Sequence, residues 1–283
     1  MHLDIIHTLS YTYSTHVSLT PHTLYVMPKA LPNQEVHNFE LDINPVPNFL
    51  VKNVDAEGNI QHIAYINEPC TSFDVRVHFQ MNTLDFNPFD FVYFPFEAKE
   101  LPFSYPEKEK VLLSAYLNQE QVTTTIHHFA RQLAAEKNWI TADFLMHLST
   151  YIRANFMYEK REFGAANSAE KTLLSAKGTC RDFAVLMIAT CKALGIAARF
   201  VSGYCFGSEL QAHELHAWVE VFLPGGGWRG FDPTEGKAVD KNYVMLAASA
   251  QPELINPVTG SFRSNIAANS TLQANVQLEQ VYS

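Results

Sequence analysis

Gly178-Thr179-Cys180-Arg181-Asp182-Phe183 places a cysteine at the start of an apolar segment, and Gly178 is expected to permit a sharp turn just before it. Apolar side chains recur after it at helical spacing and Gly195 follows them, so the sequence predicts a buried helix over 180–194. A helix N-terminus stabilises negative charge on sulfur, as does a nearby imidazolium. Cys180 is therefore a candidate nucleophile.

A histidine and an aspartate further along the chain complete a candidate triad with this cysteine. A thiol nucleophile needs a base within hydrogen-bond reach and a third group that fixes the orientation of the base. His216 and Asp232 fit these two roles, and they lie on strands that we predict over 215–223 and 228–232. A glycine-rich turn at 224–227 joins the two strands, so antiparallel pairing would bring the imidazole and the carboxylate together.

The spacing of apolar residues divides the rest of the chain into a strand-forming N-terminal part and a later part that contains helices. Residues 73–81 alternate strictly between apolar and polar side chains, a pattern typical of half-buried antiparallel strands. We predict an α+β protein with an N-terminal antiparallel β domain over 1–85 and a Pro- and aromatic-rich connector over 86–117. In the core, over 118–283, the Cys180 helix packs on an antiparallel sheet. Further predicted elements are helices over 118–137, 143–158 (capped by Thr141) and 169–176, and strands over 198–206 and 272–278.

Composition excludes several classes of function. The chain has 283 residues, 47% hydrophobic content and a net charge of -9, with no basic stripe of the kind that binds phosphate backbones, so we expect no nucleic-acid partner. The start has neither the basic nor the apolar region of a signal peptide, and no run is long enough to span a membrane. We expect a soluble cytoplasmic protein without a membrane partner, and four cysteines in reduced form.

Four ordered segments resemble the transglutaminase-like superfamily. That family has a papain-like core, in which a Cys begins a buried helix and His and Asp follow on adjacent strands. The N-terminal half is similar to the β domain that precedes this core in bacterial members, through segments such as 7–13 and 55–59. One departure is that residues 247–252 replace the usual Gly-Arg-Asp-Tyr segment, which implies an altered substrate preference or a lost auxiliary site. The four segments are 178–184, 193–204, 216–221 and 227–234.

We interpret the chain as an enzyme in which Cys180 attacks an amide carbonyl, His216 moves the proton and Asp232 orients His216. The resemblance implies that the substrates are peptide or glutamine side-chain amides of proteins. Water as the acceptor of the acyl group gives a cysteine protease or amidase, and this is the interpretation we favour. An amine acceptor gives a protein-glutamine transglutaminase. A binding module that keeps the fold without activity is the alternative from a different class.

Other residues have simpler interpretations. Trp218 and Tyr204 are candidates for the wall of the substrate cleft, although aromatic residues on strands usually belong to the core. Asp182 has a structural role at the helix start, and Cys191 belongs to the core. We predict no cofactor and no metal site. A zinc site built from Cys180, Cys205, His213 and His216 is conceivable, but its spacing matches no familiar pattern.

Overall fold

The computed structural model describes residues 1–161, 164–208, 210 and 214–281. The helices are α1 Glu107–Leu112, α2 Thr124–Glu136, α3 Thr141–Asn155, α4 Ala169–Ser175 and α5 Cys180–Ala193. Strands of the N-terminal region are β1 His2–Leu19, β2 His22–Leu24, β3 Gln34–Asn44, β4 Phe49–Val54, β5 Ile60–Tyr65 and β6 Cys70–Thr83. The later strands are β7 Met157–Tyr158, β8 Lys177–Gly178, β9 Ala198–Cys205, β10 His216–Leu223, β11 Gly227–Asp232, β12 Lys237–Ala238, β13 Tyr243–Ser249, β14 Val258–Thr259, β15 Phe262–Arg263 and β16 Ser270–Gln280.

Two antiparallel sheets form the N-terminal region. The first has the order β15-β1-β6-β3, with β16 also paired to β1, and the second has the order β14-β2-β5-β4. Alternation explains the first sheet, since Phe73, Val75 and Val77 on β6 are buried while the residues between them are half-buried. The α+β fold with a β-rich N-terminal region is thus confirmed.

The last strand, β16, returns to the sheet that contains the first residues. It pairs with β1 over Leu3–Tyr13. The sequence prediction of a strand near the end of the chain is therefore correct. The division at 1–85, 86–117 and 118–283 stays a prediction, and the pairing of β16 shows that the N-terminal sheet takes in C-terminal residues.

The core places one buried helix against one sheet. Strand order in that sheet is β12-β11-β10-β9-β13, and α5 packs on β10 and β9. Almost every residue of α5 is buried, as expected for a helix with so few polar side chains. Helices α2 and α4 cover α5 from other sides. Across the described residues, no helix combines the length and the apolar character needed to cross a membrane.

Two amide side chains join the N-terminal region to the free edge of β13. Gln34 accepts from the Met245 amide at 3.1 Å and donates to the Met245 carbonyl at 3.0 Å. Asn59 makes the same pair of bonds with the backbone of Ala248, both at 2.9 Å. Each side-chain amide makes the pair of hydrogen bonds that a neighbouring strand would make, so the N-terminal region supplies partners for main-chain groups at the edge of the core sheet.

Two local predictions need correction. Thr141 was expected to cap α3, but Ile140 is the N-cap and the Thr141 hydroxyl donates to the Ala98 carbonyl at 2.8 Å. This bond fixes the helix to the connector. Gly178 was expected to permit a sharp turn, yet its φ is not positive. A Cβ there would lie 2.7 Å from the Cβ of Asp182, so glycine is needed because the Asp182 side chain folds back over it.

Candidate active site

Cys180 is the first residue of α5, and the helix start is fixed by a capping box. The Thr179 hydroxyl accepts from the Asp182 amide, while the Asp182 carboxylate accepts from the Thr179 amide at 2.8 Å. Such reciprocal bonds satisfy N–H groups that have no partner within the helix. The Cys180 side chain is 5% exposed and lines a cleft.

Asp182 also ties the helix start to the cleft wall. Its second oxygen accepts from the Asn167 amide at 2.6 Å and from the Arg161 guanidinium at 2.8 Å. Burial alone would raise the pKa of Asp182, but the hydrogen bonds from Thr179, Asn167 and Arg161 lower it, so the carboxylate stays charged. The structural role predicted for Asp182 is confirmed by its bond to the local backbone at Thr179, whereas its cationic partner, Arg161, was not predicted.

The structure brings the three predicted catalytic residues together. His216 Nε2 lies 2.6 Å from Asp232 Oδ2, and the Cys180 thiol is close enough to contribute to the raised pKa of the His216 ring. With Nε2 bound to the carboxylate, Nδ1 is the ring nitrogen left for the thiol. His216 begins β10 opposite Gly203 of β9, and β10 pairs with β11 as the sequence predicted. The imidazole therefore adjoins both sulfur and carboxylate.

Electrostatics at the site favour a charged imidazole. Burial by itself lowers the pKa of His216, but the charge and the hydrogen bond of Asp232, together with Cys180, raise it to about 10. Burial acts in the opposite direction on Asp232, whose pKa is nevertheless lowered by His216 and by the hydroxyl of Tyr243. An imidazolium beside the sulfur stabilises a thiolate, which is the nucleophilic form of cysteine.

Four donors hold the Asp232 carboxylate. Besides His216, the Tyr243 hydroxyl donates to Oδ2 at 2.7 Å, and the amides of Thr234 and Glu235 donate to Oδ1 at 2.7 and 3.2 Å. Tyr243 was not among the predicted site residues, and it reaches Asp232 from β13, a strand that was not predicted either. The one feature of the sequence that relates the two residues is their separation of eleven positions.

Trp218 and Tyr204, predicted to line the cleft, are instead buried in the core. Trp218 is 1% exposed and stacks on the His216 ring at 6.1 Å between centroids, so it supports the imidazole from behind. Gly203 makes room for that indole, because a Cβ there would lie 2.6 Å from it. Tyr204 is fully buried, and its hydroxyl lies 3.0 Å from His7 Nδ1 on β1, so it joins the N-terminal sheet to the core.

The cleft in front of Cys180 lies between the N-terminal sheet and the core. It has a volume of about 1690 Å³ and takes in residues of β1 and β16 as well as Cys180 and His216. Residues 249–252 also line it. These belong to the segment where the sequence departs from the family pattern, so the departure lies in the wall of the substrate cleft.

A metal site receives no support from the described arrangement. Among the residues that the structure describes, no group of three or more His, Cys, Asp or Glu side chains is arranged to hold a metal ion. Cys205, one of the four residues considered for zinc, lies beside Tyr243. His213 falls outside the described residues.

Comparison with known proteins identifies both halves of the chain. Residues 127–233 match the transglutaminase-like superfamily, and residues 3–82 match the bacterial transglutaminase-like N-terminal region. A crystal structure described as a putative cysteine protease from Cytophaga hutchinsonii superposes with a TM-score of 0.75 over 100% of this chain and 91% of that chain, at 21% identity. The superposition shows that the fold is shared.

Two sequence relatives complete the comparison. An uncharacterized protein of Mycobacterium bovis is 24% identical over 292 residues, covering 97% of this chain and 91% of the relative. A protein-glutamine gamma-glutamyltransferase of Pseudomonas aeruginosa is 40% identical over 65 residues, which cover 20% of this chain and 10% of that protein. The first relative spans the whole architecture, and the second shares a short segment only.

Proposed function

We propose that this chain, a member of the transglutaminase-like superfamily, is a thiol-dependent enzyme that hydrolyses peptide or glutamine side-chain amides through an acyl-enzyme on Cys180. The observation that carries the proposal is the His216 imidazole, bound to Asp232 at 2.6 Å and facing the same cleft as Cys180, whose thiol contributes to the raised pKa of the ring. A base held between a nucleophile and an orienting carboxylate is the arrangement that acyl transfer requires.

The reaction starts with attack of the Cys180 sulfur on the amide carbonyl, with His216 as the group that accepts and returns the proton. The carbonyl oxygen becomes an oxyanion, and the Cys180 amide at the start of α5 is a donor placed to stabilise it. His216 then gives its proton to the leaving nitrogen, which departs as ammonia or an amine. The product of this half-reaction is a thioester on Cys180.

Asp232 makes this proton transfer efficient because it fixes the ring of His216 and stabilises its positive charge. In the second half-reaction, His216 takes a proton from the acceptor, which attacks the thioester and releases the thiol. Water is always present in a cleft of about 1690 Å³, so we propose hydrolysis as the main outcome.

Transfer to an amine is the second candidate function. The local identity of 40% with a protein-glutamine gamma-glutamyltransferase favours it, since that name denotes transfer of a glutamyl group. Both reactions pass through the same thioester, so the acceptor alone distinguishes them. Cytoplasmic location and a protein or peptide substrate belong to the same proposal.

Mass spectrometry of a peptide library tests the proposal directly. Peptides are incubated with the wild-type protein and an amine, then with Cys180→Ala and with Cys191→Ala as the matched control. Cleavage gives fragments, deamidation replaces a side-chain NH2 by OH, and transamidation adds the mass of the amine. We expect products with the wild type and Cys191→Ala and none with Cys180→Ala. Absence of all three products from the wild type would favour the inactive binding module.

A further inference from the structure

One edge of β16 is left unpaired where it runs along the cleft. β16 pairs with β1 on one side and with no other strand in the described parts of the chain. The ladder ends on bonds from the Ser14 amide to the Asn269 carbonyl and from the Val281 amide to the His2 carbonyl, both at 3.0 Å. Because hydrogen-bonded pairs alternate along an antiparallel ladder, odd-numbered residues of β16 face β1 and even-numbered residues face away.

Leu272 and Ala274 therefore direct their amide and carbonyl groups away from β1. Both residues line the same cleft as Cys180 and His216. Ala274 is exposed and has a small side chain, so its backbone is open to a ligand. Val276, the next even-numbered position, already makes an interaction of its own.

The edge also lacks the features that protect exposed strands in other proteins. Lysine, proline and bulges normally keep a free edge from pairing with another chain. The eleven residues of β16 include no lysine and no proline, and Glu279 is the one charged residue among them. The register of β16 with β1 is continuous over Leu3–Tyr13, without a bulge.

We propose that the edge of β16 at Leu272 and Ala274 binds the polypeptide substrate as an added β-strand. The inference rests on the proposed function and names its substrate class: an extended segment of polypeptide, held by its main chain, in preference to a small amide. Main-chain bonds supply affinity for any sequence, and alternate side chains of the added strand lie beside Leu272 and Ala274, which line the cleft. The same cleft contains Cys180 and His216, so the segment bound at this edge is a substrate and not a second copy of the chain.

Binding to Cys180→Ala tests the proposal without requiring catalysis. A library of short unstructured peptides is passed over the immobilised full-length variant, and the retained peptides are identified by mass spectrometry. Adding Ala274→Pro removes one outward N–H that β1 does not use. We expect retention to fall about tenfold, the equivalent of ~1.4 kcal/mol for one hydrogen bond.

Ser270→Pro is the matched control. Ser270 also faces away from β1, but it begins the strand and does not line the cleft. Proline is tolerated at the first residue of a strand, so retention should stay at the level of Cys180→Ala. Circular dichroism confirms that both proline variants are folded. Equal retention by Ala274→Pro and Ser270→Pro would overturn the proposal.

Methylation of peptide amides gives a second readout that leaves the protein unchanged. Each amide of the best-retained peptide is N-methylated in turn. An added strand uses alternate amides, so binding should fall at every second position. A uniform loss, no loss, or retention of no peptide at all would overturn the proposal, as would a wild-type dimer that Ala274→Pro converts to a monomer. Failure of the catalytic proposal appears separately, as peptides that bind to Cys180→Ala but yield no product with the wild type.

Discussion

The two ends of α5 hold cysteines in opposite environments. Cys180 is the first residue of the helix, and it lines the cleft together with His216, whose pKa it helps to raise. Cys191, three turns later, is completely buried, and burial raises its pKa, an effect that the charge of Lys192 only partly offsets. The same side chain on the same helix is a nucleophile candidate in one place and a core residue in the other.

The difference follows from which backbone N–H groups of the helix are already hydrogen-bonded. Inside α5 the amides near Cys191 are bound to carbonyls one turn back, so no backbone N–H group is left to stabilise a charge on sulfur. At the start of the helix, N–H groups without an intrahelical partner point outward, and Thr179 and Asp182 hold that end in place. A histidine from another strand then supplies the base.

Alkylation should separate the two cysteines by the largest factor. We expect iodoacetamide at neutral pH to label Cys180 more than ~10³-fold faster than Cys191, because a thiol without exposed surface reacts only when the structure opens. Peptide mapping by mass spectrometry measures both rates in one sample. His216→Ala should slow labelling of Cys180 and leave Cys191 unchanged. Comparable rates at both cysteines would remove the basis for calling Cys180 the nucleophile.

Asp232→Asn should lower the turnover of a peptide amide on the order of 10²-fold, since the amide oxygen can still accept from the His216 ring but carries no charge that stabilises the imidazolium. The initial rate is measured with the best peptide found for the wild type. Asp240→Asn makes the same change outside the site, where Asp240 accepts from the Asn242 amide. A loss of less than tenfold would show that Asp232 only supports the fold.

The sequence predicted the end of α5 that bears Cys180 because local rules operate there. Apolar residues at helical spacing after Cys180 and the glycine at 195 define this helix, and the predicted 180–194 agrees with Cys180–Ala193. The capping box of Thr179 and Asp182 was not predicted. The strands that carry His216 and Asp232 follow from alternation and a glycine-rich turn. Four ordered segments then identified the family, which the comparisons confirm.

Long-range contacts could not be predicted in the same way. Tyr243 reaches Asp232 from β13, and Asn59 reaches β13 from a turn of the N-terminal region. Both contacts depend on how separate layers pack, which no local spacing encodes. Trp218 and Tyr204 were assigned to the cleft from their position beside the motifs. Packing instead buried them, because large aromatic side chains gain most from the core.

The pH dependence of stability should distinguish the end of α5 that bears Cys180 from the end that bears Cys191. The pKa of His216 is raised from 6.5 to about 10, so the folded protein keeps a proton that the unfolded chain loses. This contribution is complete below pH 6.5 and is lost as pH rises through about 10. We expect the free energy of unfolding to fall by a few kcal/mol across this window.

Cys191 should contribute to the pH dependence of the free energy of unfolding only at alkaline pH. Burial raises its pKa above the usual 9.0, so its contribution is lost only above pH 9.0, where the unfolded thiol ionises. Urea unfolding at a series of pH values measures how steeply the free energy of unfolding falls with pH. Asp232→Asn should make this fall shallower between neutral pH and pH 9, and Cys191→Ala should make it shallower only above pH 9. An unchanged slope in Asp232→Asn would contradict the charge pairing inferred for His216.

The smallest effect concerns the threonines near each cysteine. Thr179→Ala removes the cap of α5 and should cost ~1 kcal/mol of stability, and it should also slow alkylation of Cys180 several-fold because the helix start is no longer held. Thr190 donates to the Leu186 carbonyl at 2.7 Å, next to Cys191. Thr190→Ala should cost a similar amount of stability without changing the labelling of Cys180. If both variants slow that labelling equally, general loosening of the helix, and not the geometry of its first turn, controls the thiol.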